Sequence, residues 1–542
     1  MKNLHILITL LGCFASVAFA DIELPRRWEY AAPLISPEKR DADPSHAQKD
    51  PTVVHHDGRW HVFMTVKLPG RSVIEYCSFE KWETANASKR TLLTVSDSDY
   101  FCAPQVFYFE PHKKWYLVYQ VGMPGSKKMW VAYSTTSDIS NPASWTKAQP
   151  MPGLDGGPDD PREMGGLDYW IICDNARAYL FFTSLNGKLW RLSTWIEQFP
   201  AGFGDCTVAL QAEIFEASHT YKLKGQDKYL TLIEQDGRRY FKAYIADRLD
   251  GEWTPIADTE ALPFAGATNI RPRKGVEAWT DNISHGELIR DSNDQHLVID
   301  PDHLQLLFQG MLEKQKSGKG YGQFDWRLGL LTPDSTVQIT LVGDSTVATA
   351  NGWGDGFEEL LKDSAKVHNA AKNGRSSKSF RSEGLWKPVI ENPGDYLLIQ
   401  FGHNDQPGKG PERESAAATD FRDHLRQYVK EAQSVGMKPV LVTSLTRRHW
   451  GKDGKIVPSL AEYAEATKAV ATELGLPLID LHTLSITHAN AIGAAAYQQF
   501  EPKTEKGIDH THLNSLGSRE VAKLVAEELV RVVPELADHF NF

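Results

Sequence analysis

Two sets of residues in this chain have the types and the placing to do chemistry. The first is acidic. Asp50 stands before Pro51, Asp168 before Tyr169 and Glu216 before Ala217, and His285 heads a further apolar stretch. Carboxyl groups drawn together raise one another's proton affinity, so one can keep its proton while another stays ionised. Cleavage of a glycosidic bond needs that division: an acid for the leaving oxygen, and a carboxylate that activates water or attacks carbon. The second set is built on serine. In "LVGDSTVATANGWGDGF" an apolar strand end meets a tight turn that carries Ser345. "NAAKNGRSSKSF" offers the backbone N–H of Gly374, and "FGHND" puts Asn404 at the end of another strand. "DHTHLNSLGS" sets Asp509 three residues before His512. Ser345 would attack a carbonyl, His512 would take and return its proton, and Asp509 would orient the imidazole. The N–H groups of Ser345 and Gly374, with the Asn404 amide, would hold the negative oxygen. The Asp-x-x-His spacing selects His512 over its neighbour His510, and His403 reads as a packing residue beside Asn404.

Positioning the carboxyls needs convergent strands. Short apolar strands followed by polar turns recur from about Arg26 to Pro333: "PTVVHHDGRWHVFMT" at Pro51, "PQVFYFEPHKKWYLVYQ" at Pro104, "DYWIICDNARAYLFFTS" at Asp168 and "ASHTYKLKGQDKYLTLIEQ" at Ala217. A weaker copy, "HGELIRDSNDQHLVID", starts at His285 and is followed by "HLQLLFQG". Each reads as a hairpin. Five such units at intervals of roughly 50–70 residues predict a five-bladed β-propeller, with a plain β-sandwich as the alternative. The blades would bring Asp50, Asp168, Glu216 and His285 to one end of a central channel. After Pro333 strands alternate with helices. "VQITLVG", "DYLLIQFG", "KPVLVTSL" and "LPLID" are buried strands, and "ATDFRDHLRQYVKEAQSVG", "LAEYAEATKAVATELG" and "SREVAKLVAEELVRVV" are helical. That alternation predicts an α/β/α three-layer domain with a parallel sheet. The expected division is 1–20, 21–333 and 334–542.

The first half resembles glycoside hydrolase family 62, the α-L-arabinofuranosidases that remove arabinose from arabinoxylan. The segments that carry the likeness are "HAQKDPTVVHHDGRWHVF", "APQVFYF", "AYLFFTSLNGKLWR", "EIFEASHTYKLKGQDKYL", "LDGEWTP" with "PFAG", and "DNISHGELIR". The resemblance implies a five-bladed propeller that inverts anomeric configuration. It makes Asp50 the general base and Glu216 the general acid, with Asp168 tuning the acid, and it places Lys49 and Tyr321 in the arabinose pocket. It also matches His285 to a histidine that holds a central calcium ion in some members, although calcium prefers oxygen ligands. Gly322 follows Tyr321 where members often carry Asn, so contacts to the xylan backbone would differ. The second half is similar to the SGNH (GDSL-type) hydrolases, and "GDST", "NGRSSKSF", "FGHND" and "DHTHLNSLG" lie closest to carbohydrate esterase family 12. That likeness implies an acetylesterase on a decorated plant polysaccharide, with no cofactor needed.

Bulk properties agree with an extracellular polysaccharide hydrolase. The 542 residues are too many for one core. A net charge of −11 leaves no basic face for nucleic acid. "MKNLHILITLLGCFASVAFA" reads as a secretory signal peptide cut after Ala20, with lipid attachment at Cys13 as the lesser reading. Export permits disulfides, but no pairing follows from the remaining Cys77, Cys102, Cys173 and Cys206. No other apolar run is long enough to span a bilayer. The expectation is a secreted or periplasmic bifunctional enzyme on acetylated arabinoxylan. The alternative is an esterase for pectic acetyl or feruloyl groups whose propeller only binds carbohydrate.

Overall fold

A computed structural model describes residues 22–542 except 41–42, 123–128, 158–159, 163–164 and 236. The expected signal segment and Cys13 lie outside the described residues. The chain divides into two compact units between Asp334 and Ser335. Among the described residues no helix is long and apolar enough to cross a membrane.

The first unit is a five-bladed β-propeller. Blade one is the meander Ala47–His56, Arg59–Leu68, Arg71–Phe79 and Arg90–Leu92, and blade two runs from Phe101–Phe109 to Gln149–Pro150. Blade three runs from Leu167–Cys173 to Thr207–Gln211, and blade four from His219–Leu223 to Thr254–Ala257. Blade five is built from Asn282–Leu288, Leu306–Met311 and Arg327–Pro333. Its next strand is Trp28–Tyr30 from the start of the chain, antiparallel to Arg327–Pro333, so the two ends of the unit are stitched into one sheet. The weak fifth copy pairs differently from its sequence reading. Asn282–Leu288 pairs with Leu306–Met311, whereas Val298–Ile299 lies parallel to His219–Leu223 of blade four. The polar run between them is long enough to reach across, and a two-residue strand gains more from a neighbouring sheet edge than from a hairpin alone.

Every blade interrupts its first strand, or the residue just ahead of it, in the same way. Asp50, Ala103, Asp168, Ala217 and His285 all have positive φ, from +24° to +58°. The ladder shifts register at this point in blades one, two, three and five, as a β-bulge requires. Pro51 and Pro104 follow the first two, at positions where no ladder N–H is needed. A bulge turns a backbone N–H away from its ladder, and each of these finds a side chain. Asp50 N–H donates to Gln309 Oε1 (2.8 Å), Ala103 N–H to Thr65 Oγ1 (2.9 Å) and Asp168 N–H to Gln120 Oε1 (3.0 Å). His285 N–H donates to Glu234, and Ala217 N–H to Asp168 Oδ2 at 3.1 Å. Gln309, Thr65, Gln120 and Glu234 all sit on the second strand of the preceding blade. Thr183 ends the second strand of blade three, but Asp168 serves Ala217 instead, and the buried Thr183 hydroxyl has no partner among the described residues.

The second unit is a five-stranded parallel sheet, ordered Ala365–Asn369, Val337–Gly343, Tyr396–Gln400, Lys438–Val442, Leu478–Ile479. Alternate residues feed opposite faces. Ile339, Leu341, Leu398 and Val440 pack with Val521, Val525 and Leu529 of the helix Ser515–Val532. Val342, Leu397, Ile399 and Leu441 pack with Phe421, Leu425 and Val470 of Asp420–Ser434 and Ala461–Leu474. The edge strand Ala365–Asn369 was not expected: its residues alternate between covered and exposed, without the apolar run that marks its neighbours. The helix Leu481–Ile492, capped by Asp480 through the Thr483 N–H, was also not expected, because its β-branched residues weaken the helical signal.

Gln309→Leu leaves the buried Asp50 N–H without an acceptor, so the propeller loses about 1–3 kcal/mol. Thr183→Val removes a hydroxyl that bonds nothing and leaves stability within about 0.5 kcal/mol of the parent. Denaturant unfolding of the two variants, followed by tryptophan fluorescence, measures the contrast.

Candidate active sites

At the propeller axis the bulges aim their side chains into one place. His285 is the hub. Its Nε2 lies 3.1 Å from Asp168 Oδ2, and its Nδ1 lies 3.6 Å from Asp50 Oδ1 and 3.5 Å from Glu234 Oε1. Asp168, Glu216 and His285 each place one ligand-type atom within 4.8 Å of the others. Lys49 Nζ donates to the Tyr321 hydroxyl at 3.2 Å and lies 3.6 Å from Asp50 Oδ1. All six positions singled out in the sequence are therefore brought together. Five are buried, and Tyr321 is 47% exposed at the mouth.

The neighbours set different proton affinities. Burial opposes ionisation of Asp50, but Lys49 and His285 outweigh it and hold its carboxyl below the usual range. Burial likewise opposes ionisation of Asp168, and the adjacent His285 outweighs it, holding Asp168 at about 2. Glu216 goes the other way. Burial, with the negative charges of Asp168 and Glu234, pushes it up to about 7 against the pull of His285 and Arg239. His285 rises well above the ordinary imidazole range: burial disfavours its charge, but Asp168 and Asp50 more than compensate. The axis thus holds one carboxyl that keeps its proton near neutrality and two that do not.

Arg239 was missed in the sequence. Its Nη1 donates to Glu216 Oε1 (3.0 Å), Glu234 Oε2 (2.9 Å) and Ser284 Oγ (2.6 Å), and its guanidinium lies over the Phe215 and Tyr321 rings. The available signal was Glu234, an acid at the end of an otherwise apolar strand, where burial demands a partner. Below the bulges, Asp50, Asp168, His219 and His285 line a cavity of about 10 Å³, room for one water or ion. Asp50 Oδ1 and His219 Nδ1 are buried there without a hydrogen-bond partner among the described residues. Carboxylate oxygens suit a hard divalent cation, so the donor set is compatible with calcium.

In the second unit, the turn after Val337–Gly343 carries Ser345 at the carboxyl end of the sheet, where parallel α/β sheets place ligands. The turn is held by Asp344, whose Oδ1 accepts from the Thr346 N–H and hydroxyl. The chain beyond the turn enters a five-residue helix at Gly354. His512 Nε2 lies 2.8 Å from Ser345 Oγ, and His512 Nδ1 lies 2.7 Å from Asp509 Oδ2. Asp509 Oδ1 accepts from the N–H groups of Thr511 and His512, which fixes the carboxylate under the ring. Burial opposes its ionisation, but these bonds hold Asp509 below the usual carboxylate range. Gly374, at φ +75°, and Asn404 flank Ser345 on the loops after the two neighbouring strands, and Asn404 Nδ2 donates to Arg375 O at 3.1 Å. His510 points elsewhere: its Nδ1 is 3.1 Å from Glu501 Oε1. His403 is buried 3.4 Å from Asp344 Oδ2.

A second cluster has the same residue types in the wrong order. Ser377 Oγ donates to Asp405 Oδ1 and lies 2.9 Å from His424 Nδ1. Its hydroxyl proton is committed to the carboxylate, and Ser377 is fully buried, so no acyl group can reach it. Asp405 also accepts from the Ser377 and Gly402 N–H groups, tying together the loops that carry Gly374 and Asn404.

Residues 27–332 match glycosyl hydrolase family 62, and residues 339–520 match the GDSL-like lipase/acylhydrolase family. Over 323 residues, 57% of this chain, the first part is 38% identical to alpha-L-arabinofuranosidase C of Cellvibrio japonicus. The chain spans 48% of that relative, about half its length. The second part is 38% identical over 221 residues, 38% of this chain, to the rhamnogalacturonan acetylesterase RhgT of Bacillus subtilis, and spans 94% of it. Among solved structures, the catalytic domain of the family 62 α-L-arabinofuranosidase from Coprinopsis cinerea is 38% identical, with a TM-score of 0.51 over 57% of this chain and 97% of that one. A family 62 hydrolase solved in complex with xylotriose is 35% identical, with a TM-score of 0.51 over 56% and 97%.

The two serine clusters make opposite predictions. A fluorophosphonate reagent labels Ser345 and leaves Ser377 unmodified in the folded chain, as peptide mass spectrometry reads directly.

Proposed function

The chain belongs to glycosyl hydrolase family 62 over residues 27–332 and to the GDSL-like lipase/acylhydrolase family over residues 339–520, and on that premise we propose that it debranches plant hemicellulose by two reactions. One removes arabinofuranose at the propeller axis, and the other removes acetyl esters at the carboxyl end of the parallel sheet. The observation that carries this reading is that each unit holds its own acid–base set: ionised Asp50 with protonated Glu216, and the Ser345–His512–Asp509 chain with 2.8 Å and 2.7 Å links.

In the first reaction Asp50 takes a proton from water, and the hydroxide attacks the anomeric carbon with inversion. Glu216 gives its proton to the leaving xylan oxygen. Burial, reinforced by the negative charge of Asp168, keeps Glu216 protonated, and Lys49 and Tyr321 line the sugar pocket. In the second reaction Ser345 Oγ attacks the ester carbonyl while His512 Nε2 takes its proton and passes it to the leaving sugar oxygen; water, deprotonated in turn by His512, then cleaves the acetyl-serine, and the proton returns to Ser345 as acetate leaves. Asp509 holds the ring, and the N–H groups of Ser345 and Gly374 with the Asn404 amide face the oxyanion. Acetylated arabinoxylan carries both side groups, and a relative solved with xylotriose supports a xylan backbone at the first site. A second reading for the esterase, acetyl groups on pectin, is favoured by its 38% identity to a rhamnogalacturonan acetylesterase. A calcium ion, if held by the Asp50 and Asp168 carboxylates, with His285 giving up its proton to face it through nitrogen, would supply in place of the imidazolium a fixed positive charge that offsets the axial carboxylates. Protein dialysed against chelator would then lose thermal stability and regain it with calcium alone; an unchanged melting curve removes the ion from this reading.

On acetylated arabinoxylan, Glu216→Ala lowers arabinose release by about 10²–10⁴-fold and leaves acetate release intact. Ser345→Ala lowers acetate release by more than about 10⁴-fold and leaves arabinose release intact. If Glu216 must be protonated, arabinose release falls about tenfold per pH unit above about 7. Acetate release from acetylated rhamnogalacturonan, with none from acetylated xylan, would replace the xylan esterase reading with the pectic one. Wild-type protein that releases no arabinose would leave the propeller as a carbohydrate-binding module.

A further inference from the structure

Arg448 is a fully buried arginine in the loop after Lys438–Val442, outside every motif that marks the esterase site. Its donors converge on one short segment. Arg448 N–H donates to His510 O (2.8 Å), Nη1 donates to Thr511 O (2.9 Å) and Nη2 donates to His512 O. Three consecutive carbonyls of the loop that supplies both Asp509 and His512 are therefore held by a single residue. The same guanidinium reaches Thr446 O (3.2 Å) from Nη1 and Glu501 Oε1 (3.2 Å) from Nε. Glu501 is buried too, and its second role is to meet His510 Nδ1 at 3.1 Å. The carboxylate neutralises the guanidinium, so the loop gains fixed donors without a net charge beneath His512.

The loop needs such an anchor. Its N–H groups at Thr511 and His512 are spent on Asp509 Oδ1, inside the loop itself. Those bonds tie the Asp509 carboxylate to the loop backbone, but they do not hold the loop, or the Asp509–His512 pair that it carries, against Ser345 on a turn 167 residues earlier in sequence. The Asp509 N–H donates to Pro502 O and the Leu513 N–H just beyond the loop donates to Asn351 O, both at 2.9 Å, and the three carbonyls supply the loop's remaining backbone anchors. We propose that Arg448 is a positioning residue for the esterase: it locks the 509–512 loop so that His512 Nε2 stays on Ser345 Oγ. A planar guanidinium spans several carbonyls at once, whereas an ammonium group is a single point donor. A displacement of about 1 Å at a catalytic base is enough to lose about 10²-fold in rate.

This inference rests on the reading that Ser345, His512 and Asp509 cleave an ester. Two variants of the full chain test it: Arg448→Lys, and Arg448→Met combined with Glu501→Gln so that no buried charge is left unpaired. On 4-nitrophenyl acetate both lower kcat about 100-fold, with KM within about twofold of the parent. Both also lose the low-field proton resonance of the His512 Nδ1–H facing Asp509, while circular dichroism and the cooperative thermal transition of the second unit persist. A folded variant that keeps both kcat and the resonance overturns the proposal. If the wild-type chain releases no nitrophenol, or Ser345→Ala releases it at the parent rate, the esterase reading fails. The resonance then still decides whether Arg448 holds the loop.

Discussion

A backbone N–H turned out of its ladder and buried must find an acceptor, and the propeller is organised around five of them. Each left-handed, non-glycine residue costs about 1–3 kcal/mol in backbone strain. The surrounding structure holds that strain by supplying a side-chain acceptor to every one of the five. Four acceptors come from the second strand of the preceding blade, so the bond that satisfies a bulge also latches two blades together. The same bulge re-aims its side chain toward the axis. Closing the ring and assembling the site are therefore one set of hydrogen bonds. Blades two and four place alanine there: Ala103 and Ala217 adopt the same left-handed conformation and offer only a methyl group, and in blade four the acid comes from the preceding residue, Glu216.

Asp168 carries both duties at once. Its N–H is held by Gln120, its Oδ2 accepts from Ala217, and the same oxygen faces His285. That placement leaves Thr183 idle in the position where the other blades keep their acceptor. It also explains the charge pattern. Asp168 and Asp50 share a histidine that is charged because they are there, and Glu216 keeps its proton because burial, with the acidic neighbours Asp168 and Glu234, disfavours its ionised form. The division of labour among similar carboxyls is a property of their spacing, and no one of them has it alone.

The parallel sheet works by a different economy. Asp344, Asp405, Arg448 and Glu501 are buried around the site, but what separates Ser345 from Ser377 is order and access. In one cluster histidine stands between serine and aspartate; in the other serine stands between them and is sealed off. Residue type alone does not separate the two. The loops that carry Ser345, Gly374 and Asn404 follow three adjacent strands, and buried polar residues such as Asp405 and Arg448 hold the loops in place.

Much of this was legible in the amino-acid order. Five strand-turn units predicted five blades, and a change from β to alternating β/α grammar marked the second unit. The positions that begin the repeats, and the blocks around Ser345, Gly374, Asn404 and His512, pointed to residues that the structure does bring together. These signals are local, because apolar periodicity and turn chemistry act over a few residues. Other features left no such trace. Gln309 meets Asp50 across 259 positions, Glu234 meets His285 across 51, and Arg448 meets His512 across 64. A glutamine or arginine inside an apolar run announces only that it must be paired. Which donor it meets, which carboxyl keeps its proton, and which serine can be reached were decided by tertiary structure, because burial and the distance between charges exist only once the chain has closed on itself.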